Sequence, residues 1–452
     1  PYPWQNYKQI PVKDFLYAGM ENTTATIFSD SYMIDATAFV DRNYVNVNAH
    51  ELAHQWFGNL VTEKNGEHHW LHEGFATYYA YLVEKELFGD DYFYWKLHHT
   101  ANQLQEISDR AEGQSLLDPK ASSLTFYEKG AWALVALREL VGDEFFKNVI
   151  RNYLVKHQLK NVTVTDFLNQ IATASTIDLS AYKRMWLDSS EFPTQEAMSI
   201  LEKYSPSLVL LSNMNTEFER IKSDDIDYEA YWNTTSSIHF KKDLIEKHHH
   251  VLPISVIEKA FAMDTILIRQ SLAVSLFGLS TSAASKEVWK SNFESLLNDK
   301  SYRTQEVALI KLWGTFEKDR QVYLDKLSNT TGFPNKNIRL LWLTLALVTP
   351  EYRDDQKADY LEELSAYTRS IYNPEVRQTA FTFLTDIGAM NLKAYKELLK
   401  STNHHSWQFR NFARRLLDKE LNNDKSKVQI QAATKELKED DLRYLRTKME
   451  VE

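Results

Sequence analysis

The opening part of the chain changes its hydrophobic period once, and the two periods predict two kinds of element. Residues 16–28 are rich in strand-forming side chains, which predicts one extended strand. Further on, the apolar residues Val47, Leu52 and Trp56 approximate one face of a helix, and Gly58 provides a stop signal. A β segment followed by a helix is therefore expected near the start of the chain.

The same helical spacing predicts further helices over about 70–87 and 128–140. Thr163 and Asp178 are suitable N-cap residues for two shorter helices, because their side-chain oxygens can accept hydrogen bonds from free backbone N–H groups. We predict that residues 1–193 form a first domain that is mostly helical with a small β part.

Residues 194–452 carry an internal repeat that is marked by an arginine after an apolar residue. The pairs recur at intervals of 34, 36, 38 and 33 residues, and a further apolar residue follows seven positions after each arginine. Because these positions lie on nearly the same side of a helix, each repeat predicts one inner helix of a helical pair. We predict an α-solenoid of HEAT or armadillo type, with its repeat arginines at least partly buried. The pairs are Ile268-Arg269, Tyr302-Arg303, Ile338-Arg339, Val376-Arg377 and Phe409-Arg410, and the later apolar residues are Leu276, Ile310, Ala346, Leu384 and Leu417.

Composition strengthens the helical prediction and narrows the classes of function. Gly 12 and Pro 10 together make up about 5% of the 452 residues, against a usual share of about 12%, which favours long helices over turn-rich β architecture. The net charge of −10 argues against a nucleic-acid or anionic-membrane surface that depends on bulk positive charge. Because the chain has no cysteine, any metal must be held by histidines and carboxylates.

The sequence does not indicate a membrane span. The longest apolar stretch, around 341–348, is far shorter than the ~20 residues that cross a bilayer. The chain begins at Pro1 without a charged-then-apolar leader, so we expect a processed product or a piece of a longer polypeptide. The compartment and the oligomeric state stay open.

The candidate chemistry is concentrated in the segment HELAH at 50–54, which is followed after eighteen residues by Glu73. Two histidines four apart on a helix project from the same side, so both imidazoles can bind one metal ion. Two imidazoles and one carboxylate leave a fourth position open, which is typical of a catalytic zinc site. The spacing predicts one Zn²⁺ per chain, held by His50, His54 and Glu73. Glu51 is the predicted base that takes a proton from the bound water.

The first domain contains four motifs that are informative as a combination: AGMEN at 18–22, HELAHQWFGNLVT at 50–62, WLHEGFATYY at 70–79 and FYEKGA at 126–131. This combination resembles the gluzincin aminopeptidases, a family that includes aminopeptidase N, aminopeptidase B and leukotriene hydrolase. The gap of eighteen residues favours this family over the thermolysin-type proteases. The resemblance implies a thermolysin-like zincin catalytic domain, and it implies that an N-terminal β domain and the opening strands of the catalytic domain are missing from this chain.

The resemblance also implies roles for residues outside the metal motif. Glu21 would bind the free α-amino group of a peptide, and a fixed carboxylate is the natural partner of an ammonium. Gly19 and Met20 would lie in a strand whose backbone hydrogen-bonds the substrate. Tyr127 would donate a hydrogen bond to the oxyanion that forms at the attacked carbonyl. The resemblance implies the same roles that the spacing predicts for the zinc ligands and the base, which are His50, His54 and Glu73 as ligands and Glu51 as base.

The sequence departs from the family pattern at two places. Ala18 stands where the family usually has glycine, which adds a Cβ beside the predicted substrate strand. His72 stands where asparagine usually precedes the glutamate ligand, which changes the immediate surroundings of the metal. No acid follows Glu73 until Glu84, so the sequence assigns no carboxylate to orient a zinc histidine, and Glu67 is the candidate that is left.

Together these features predict a zinc aminopeptidase that removes the N-terminal residue of peptides with a free N-terminus. One alternative is epoxide opening by the same metal, as in leukotriene hydrolase. Another is a catalytically silent relative whose solenoid binds proteins, although a scaffold has no need to keep Glu51, Glu21 and Tyr127. Because the strands before AGMEN are missing, we expect this chain alone to bind zinc but to turn over peptides poorly.

Overall fold

The fold is described here from a computed structural model, which covers residues 1–221, 225–275 and 283–449, without the side chains of 283–288. Most of the described residues are helical, as predicted. The chain divides into two units, each with its own internal contacts. The first unit consists of Pro1–Pro11, Tyr17–Phe28 and Asn43–Ala260, and the second of Val12–Leu16, Ser29–Arg42 and Phe261–Glu452. The predicted domain boundary at residue 193 stays a prediction.

The strands within the described residues form two small sheets. They are β1 (Lys8–Val12), β2 (Gly19–Met20), β3 (Ala25–Ser29), β4 (Val61–Glu63) and β5 (Lys160–Val162). The first sheet has the order β1-β3-β2, and β2 pairs antiparallel with β3 so that Gly19 lies opposite Phe28. In the second sheet β4 and β5 are parallel.

The prediction of one continuous strand over 16–28 is wrong. A turn separates β2 from β3, and in it the backbone N–H of Ala25 donates to the carbonyl of Asn22 at 2.9 Å. Thr24 adopts a left-handed conformation, with φ 64°. The polar residues after Glu21 favour this turn, because asparagine and threonine side chains compete with strand pairing.

The helices up to residue 262 include those predicted to start near residues 44, 70 and 128. The helix Val45–Ala53 ends earlier than predicted, and the helix Trp70–Asp109 breaks at Gly89. One π-helical turn, Thr125–Lys129, precedes the helix Gly130–Val141, and another, Lys183–Asp188, follows the short helix Ser180–Tyr182. The helices are α1 (Ala36–Phe39), α2 (Val45–Ala53), α3 (Trp70–Asp109), α4 (Gly130–Val141), α5 (Asp143–His157), α6 (Val164–Ala172), α7 (Ser180–Tyr182), α8 (Thr194–Tyr204), α9 (Pro206–Phe218), α10 (Tyr228–Thr234), α11 (Ile238–His248) and α12 (Ile254–Ala262).

The predicted N-cap at Thr163 is confirmed, whereas the prediction at Asp178 is wrong, because the N-cap of α7 is Leu179. Thr163 accepts a hydrogen bond from the backbone N–H of Asp166 at 3.2 Å, and the Asp166 carboxylate accepts one from the backbone N–H of Thr163 at 2.9 Å. This reciprocal pair is a capping box, which fixes the start of α6. Asp178 accepts from the backbone N–H of Ser180 at 2.9 Å, at the start of α7.

The core of the first unit is aromatic and lies where α3 packs against α4. At the crossing the two backbones come so close that a Cβ on Gly74 would lie 2.9 Å from the backbone of Gly130. This close approach brings the first turn of α3 next to the π-helical turn that precedes α4. Buried aromatic rings surround the crossing, namely Trp70, Phe75, Trp132, Tyr153 and Phe167.

The second unit is made largely of the later helices. Those that carry the repeat arginines contact one another in series, in the order Ile266–Ser275, Tyr302–Thr315, Asn337–Val348, Pro374–Asp386 and Trp407–Glu420. No helix within the described ranges combines the length and the apolar character needed to cross a bilayer. The later helices are α13 (Ile266–Ser275), α14 (Ala283–Ser295), α15 (Tyr302–Thr315), α16 (Arg320–Leu327), α17 (Asn337–Val348), α18 (Lys357–Ala366), α19 (Pro374–Asp386), α20 (Leu392–Ser401), α21 (Trp407–Glu420), α22 (Asp424–Thr434) and α23 (Arg443–Arg446).

Four of the five repeat arginines are at least partly buried, as predicted. Arg377 donates from Nε to the carbonyl of Thr368 at 2.8 Å, and Arg339 donates from Nη1 to the carbonyl of Ser328 at 2.9 Å. Both guanidinium groups join a helix to the turn before it, and these hydrogen bonds offset the cost of burying the charge. The other two arginines of this kind are Arg269 and Arg410.

Arg303 is exposed, so the prediction is wrong at this position. The start of α15 is held instead by Asp41, which accepts hydrogen bonds from the Arg303 backbone N–H at 3.2 Å and from the Ser301 hydroxyl at 2.6 Å. The backbone at this helix start is therefore satisfied without the guanidinium. Of the later apolar residues, Ile310 is exposed, Ala346, Leu384 and Leu417 are buried, and Leu276 lies outside the described residues.

Candidate active site

The two motif histidines and Glu73 come together between the end of α2 and the first turn of α3. His50 lies in the last turn of α2, and His54 is the residue directly after it. Their Nε2 atoms are 3.0 Å apart. One oxygen of Glu73, Oε2, lies 3.1 Å from the Nε2 of His50 and 3.3 Å from that of His54. The predicted metal-ligand set is thus assembled around one point.

The outer nitrogens of both histidines have partners that fix the rings. Nδ1 of His54 donates to the carbonyl of Phe57 at 2.9 Å, and Nδ1 of His50 lies 3.4 Å from the hydroxyl of Thr77. A neutral His54 with its proton on Nδ1 presents a free lone pair at Nε2. Sequence reasoning missed both partners because it looked for a carboxylate, and the candidate Glu67 is exposed.

Glu51 lies beside this set and is 6% exposed. Burial raises its pKa to about 8, an effect that the nearby His54 opposes and the nearby Glu21 and Glu73 reinforce. Its Oε2 has no hydrogen-bond partner among the described residues. Glu73 differs, because hydrogen bonds with His50 and His54 outweigh its burial and lower its pKa.

Glu21 lies in the turn after β2, next to Glu51. Oxygens of Glu21 and Glu51 and a ring nitrogen of His54 lie within 4.8 Å of one another. The turn is fixed by two residues that follow α2, because Gln55 and Asn59 donate to the carbonyl of Glu21 at 3.3 and 2.7 Å. Two carboxylates therefore face the same space, which suits a positively charged group.

Strand β2 passes directly over Glu51. A Cβ on Gly19 would lie 2.6 Å from the Cγ of Glu51, so any larger residue would force the strand or the Glu51 side chain to shift. Met20 follows in the same strand and pairs with Ile27. Ala18, the departure from the family pattern, is exposed and β2 forms beside it.

Tyr127 lies in the π-helical turn and faces the same site. Its ring stacks on His50, with centroids 5.3 Å apart and an angle of 7° between the planes. Burial raises its pKa well above the ordinary value, and the neighbouring Glu73 raises it further, so the phenol stays protonated.

A buried lysine holds this turn in place. The ammonium of Lys129 donates to the carbonyls of Gln114 at 2.9 Å and of Ser189 at 2.7 Å. Burial lowers the pKa of Lys129 to about 8. Sequence reasoning passed over this residue, although it belongs to the FYEKGA segment that it had singled out.

Residues 1–186 match the family model described as the peptidase family M1 domain. The resemblance inferred from the sequence motifs is confirmed. This part of the chain is similar to the peptidase family M1 domain. The curated relatives carry names of the same kind. Aminopeptidase N of Lactobacillus delbrueckii subsp. lactis is 26% identical over 424 residues, which are 82% of this chain and 49% of that protein.

A second relative matches a smaller share of the chain at higher identity. Leucyl aminopeptidase of Saccharolobus solfataricus is 32% identical over 43% of this chain and 26% of its own length. The chain thus spans half or less of these two relatives. Among solved structures, the native leukotriene A4 hydrolase from Saccharomyces cerevisiae aligns over 92% of this chain and 60% of that one, with a TM-score of 0.50 and 18% identity. That likeness concerns the fold alone.

Proposed function

We propose that this protein is a zinc aminopeptidase that hydrolyses the N-terminal peptide bond of peptides with a free N-terminus. His50, His54 and Glu73 would hold one Zn²⁺. The observation that carries this proposal is that the Nε2 atoms of His50 and His54 face each other at 3.0 Å. The Nδ1 atom of His54 donates a hydrogen bond to the carbonyl of Phe57, which leaves Nε2 of that ring directed toward the site. Together with Oε2 of Glu73, at 3.1 and 3.3 Å from the two Nε2 atoms, they form a set of two imidazoles and one carboxylate that fits a cation.

The remaining side chains fit the chemistry of the first peptide bond. When bound, zinc would acidify a water and polarise the substrate carbonyl. Glu51 takes the proton of that water, and its buried, unpartnered oxygen is free for this task. Tyr127, kept protonated, donates a hydrogen bond to the developing oxyanion. Glu51 then carries the proton that the leaving amine needs.

Glu21 gives the proposed specificity for a free N-terminus. Its carboxylate faces the same space as Glu51, so an α-ammonium bound there would place the first peptide bond next to the three-ligand set. The backbone of Gly19 and Met20 would hydrogen-bond the substrate chain alongside. The catalytically silent alternative has less support, because Glu51, Glu21 and Tyr127 all lie next to the proposed metal ligands, and a protein-binding scaffold would not need this arrangement.

The α-solenoid is also proposed for the helices that carry the repeat arginines. Its support is two series of contacts between alternate helices. One series joins α13, α15, α17, α19 and α21, and the other joins α18, α20 and α22. Such next-but-one contacts are typical of stacked helical pairs.

The test of the proposed function is a panel of aminoacyl fluorogenic substrates, measured with zinc, with a chelator and after zinc is restored. We expect activity that the chelator abolishes and zinc restores. Glu51→Gln should keep one zinc per chain and lose turnover by several orders of magnitude, because it removes the base and not a ligand. Purified protein without stoichiometric metal, or a Glu51→Gln variant with near-normal turnover, would contradict the proposal.

A further inference from the structure

The π-helical turn Thr125–Lys129 carries Tyr127 next to two charged side chains. Consecutive residues of a helical turn do not face each other, so Tyr127, Glu128 and Lys129 have three different surroundings. Tyr127 faces the proposed metal ligands, and its ring stacks on His50. Glu128 and Lys129 have hydrogen-bond partners in other segments of the chain.

Lys129 joins this turn to two loop segments. Its ammonium donates to the carbonyls of Gln114 at 2.9 Å, Ser189 at 2.7 Å and Ser190 at 3.4 Å. Three carbonyls match the three N–H donors of an ammonium. The two loop segments also lie against each other, because a Cβ on Gly113 would lie 2.4 Å from the carbonyl oxygen of Ser190. A closely packed pair of loops therefore presents its carbonyls to the turn.

The burial of this ammonium is costly. Lys129 is 2% exposed, and it forms no ion pair with a carboxylate of the described residues. Taking an ammonium out of water costs free energy that a non-polar side chain would not cost, even where carbonyls accept its hydrogen bonds. A gain in stability alone therefore does not account for a lysine at this position.

Gln114 contacts both ends of the turn. Its carbonyl accepts from Lys129, and its side-chain Oε1 accepts from the hydroxyl of Thr125 at 3.3 Å. The same Oε1 accepts the backbone N–H of Ser122, just before the turn, at 2.8 Å. The residues on either side of Tyr127 are thus bound to one loop residue.

Glu128 joins the turn to α3. Its carboxylate accepts a hydrogen bond from the hydroxyl of Tyr81, which is buried. The ammonium of Lys96 covers the ring of Tyr81, at 4.5 Å from its centroid. Tyr81 lies eight residues after Glu73 on the same helix, so the turn is tied to the helix that carries a proposed metal ligand.

We propose that Lys129 is a positioning residue that directs the hydroxyl of Tyr127 toward the oxyanion, while Glu128 fixes the other side of the turn. This inference rests on the proposed function, in which Tyr127 donates to the oxyanion. Short π-helical turns are frequent at functional sites. An oxyanion donor has to lie within about 2.7–3.1 Å of the oxygen that it stabilises, so a small shift of the turn weakens it.

The expected effect of Lys129→Met is on turnover. Methionine has nearly the same length and leaves the three carbonyls without their donor. Removal of one oxyanion donor costs about 100- to 1,000-fold in kcat, so Tyr127→Phe sets the upper limit. For Lys129→Met we expect a fall of about 10- to 100-fold, as for a displacement of up to about 1 Å. KM and zinc content should stay parental, because none of the Lys129 hydrogen bonds goes to a proposed ligand or to Glu21.

The experiment is a double-mutant cycle of Lys129→Met and Tyr127→Phe, with kcat and KM measured on an aminoacyl fluorogenic substrate. If Lys129 acts through Tyr127, Lys129→Met should have little further effect in the Tyr127→Phe background. Tyr81→Phe removes the donor to Glu128, and it should lower kcat in the parent and have little effect in the same background. Lys129→Gln keeps an N–H donor, so it should retain more activity than Lys129→Met.

Tyr182→Phe is the matched control for general destabilisation. The buried Tyr182 hydroxyl donates to the carbonyl of Ala133 in α4 at 2.9 Å, and this hydrogen bond does not involve the turn. Its loss should lower the melting temperature and keep kcat parental. A phosphinic dipeptide inhibitor adds a second readout, because its charged oxygen resembles the oxyanion. Its Ki should rise in Lys129→Met about as much as kcat falls, whereas the Ki of the free amino acid product should not change.

The outcomes separate this inference from the proposed function. Parental kcat in Lys129→Met, or an equal loss of kcat in both backgrounds, would overturn the inference. If Lys129→Met does not fold, Lys129→Gln and Tyr81→Phe decide by the same cycle. A parent that neither binds zinc nor cleaves any substrate would refute the proposed function and the inference with it, whereas an active parent with independent losses refutes the inference alone.

Discussion

Gly19→Ala tests the geometry of the site more directly than removal of a catalytic side chain. The added Cβ would lie 2.6 Å from Cγ of Glu51 and 2.5 Å from its carboxylate carbon. Carbon atoms in contact are normally about 3.5–4.0 Å apart. Either β2 or the Glu51 side chain must therefore shift by roughly 1 Å.

This shift gives the size of the expected effect. A displacement of about 1 Å of a reacting group costs on the order of 100-fold in rate. Because the three atoms nearest to the added Cβ all belong to Glu51 and not to a proposed metal ligand, zinc binding should be unchanged. We therefore expect kcat/KM to fall about 100-fold, with one zinc still bound per chain.

The assay is steady-state hydrolysis of an aminoacyl fluorogenic substrate, with metal content and the melting temperature measured on the same samples. Gly314→Ala is the control, because a Cβ there meets no atom within 4 Å. Combining Gly19→Ala with Glu51→Asp offers a second check, since the shorter side chain leaves room for the new Cβ. In the Gly19→Ala background, Glu51→Asp should cost less activity than in the parent. A Gly19→Ala variant with parental kcat/KM would refute the reasoning.

Two further predictions concern the substrate amine and the helix crossing. Glu21→Ala should raise KM and lower kcat/KM for substrates with a free amino group, and N-acetylated peptides should be poor substrates even for the parent; efficient cleavage of acetylated peptides would contradict the role of Glu21. Gly130→Ala should destabilise the fold by about 1–3 kcal/mol, because its Cβ would lie 2.9 Å from Gly74, and a thermal melt compared with that of Gly314→Ala checks this.

Features that depend on local spacing could be predicted from the sequence. The interval between His50 and His54 fixes both rings on one side of a helix, and the capping box at Thr163 requires only its own three-residue spacing. The gap to Glu73 was informative for a different reason, because it matched a family pattern. For the same reason Glu21 and Tyr127 were found only through the resemblance.

The partners that orient these residues come from tertiary contacts and leave no periodic signal. A backbone carbonyl, that of Phe57, orients His54, and backbone atoms have no signature in a sequence. Thr77 and Lys129 have side chains whose common roles are structural, so composition gave no reason to select them. The prediction of a buried arginine is wrong at Arg303 for a related reason. At the start of this helix the backbone is bound by Asp41, which is distant in the sequence and gives no signal in the repeat pattern.

The balance of buried charge argues that the proposed site is built for two cations at once. His50 and His54 are oriented by a carbonyl and a hydroxyl, which are neutral, so these partners add no charge. Three carboxylates then remain next to one another, those of Glu21, Glu51 and Glu73. Without a compensating cation, burial raises the pKa of Glu51 to about 8. A divalent metal together with one α-ammonium would neutralise all three carboxylates, whereas an acetylated peptide would leave one charge uncompensated. The proposed preference for a free N-terminus would thus follow from the same electrostatics that favour a metal.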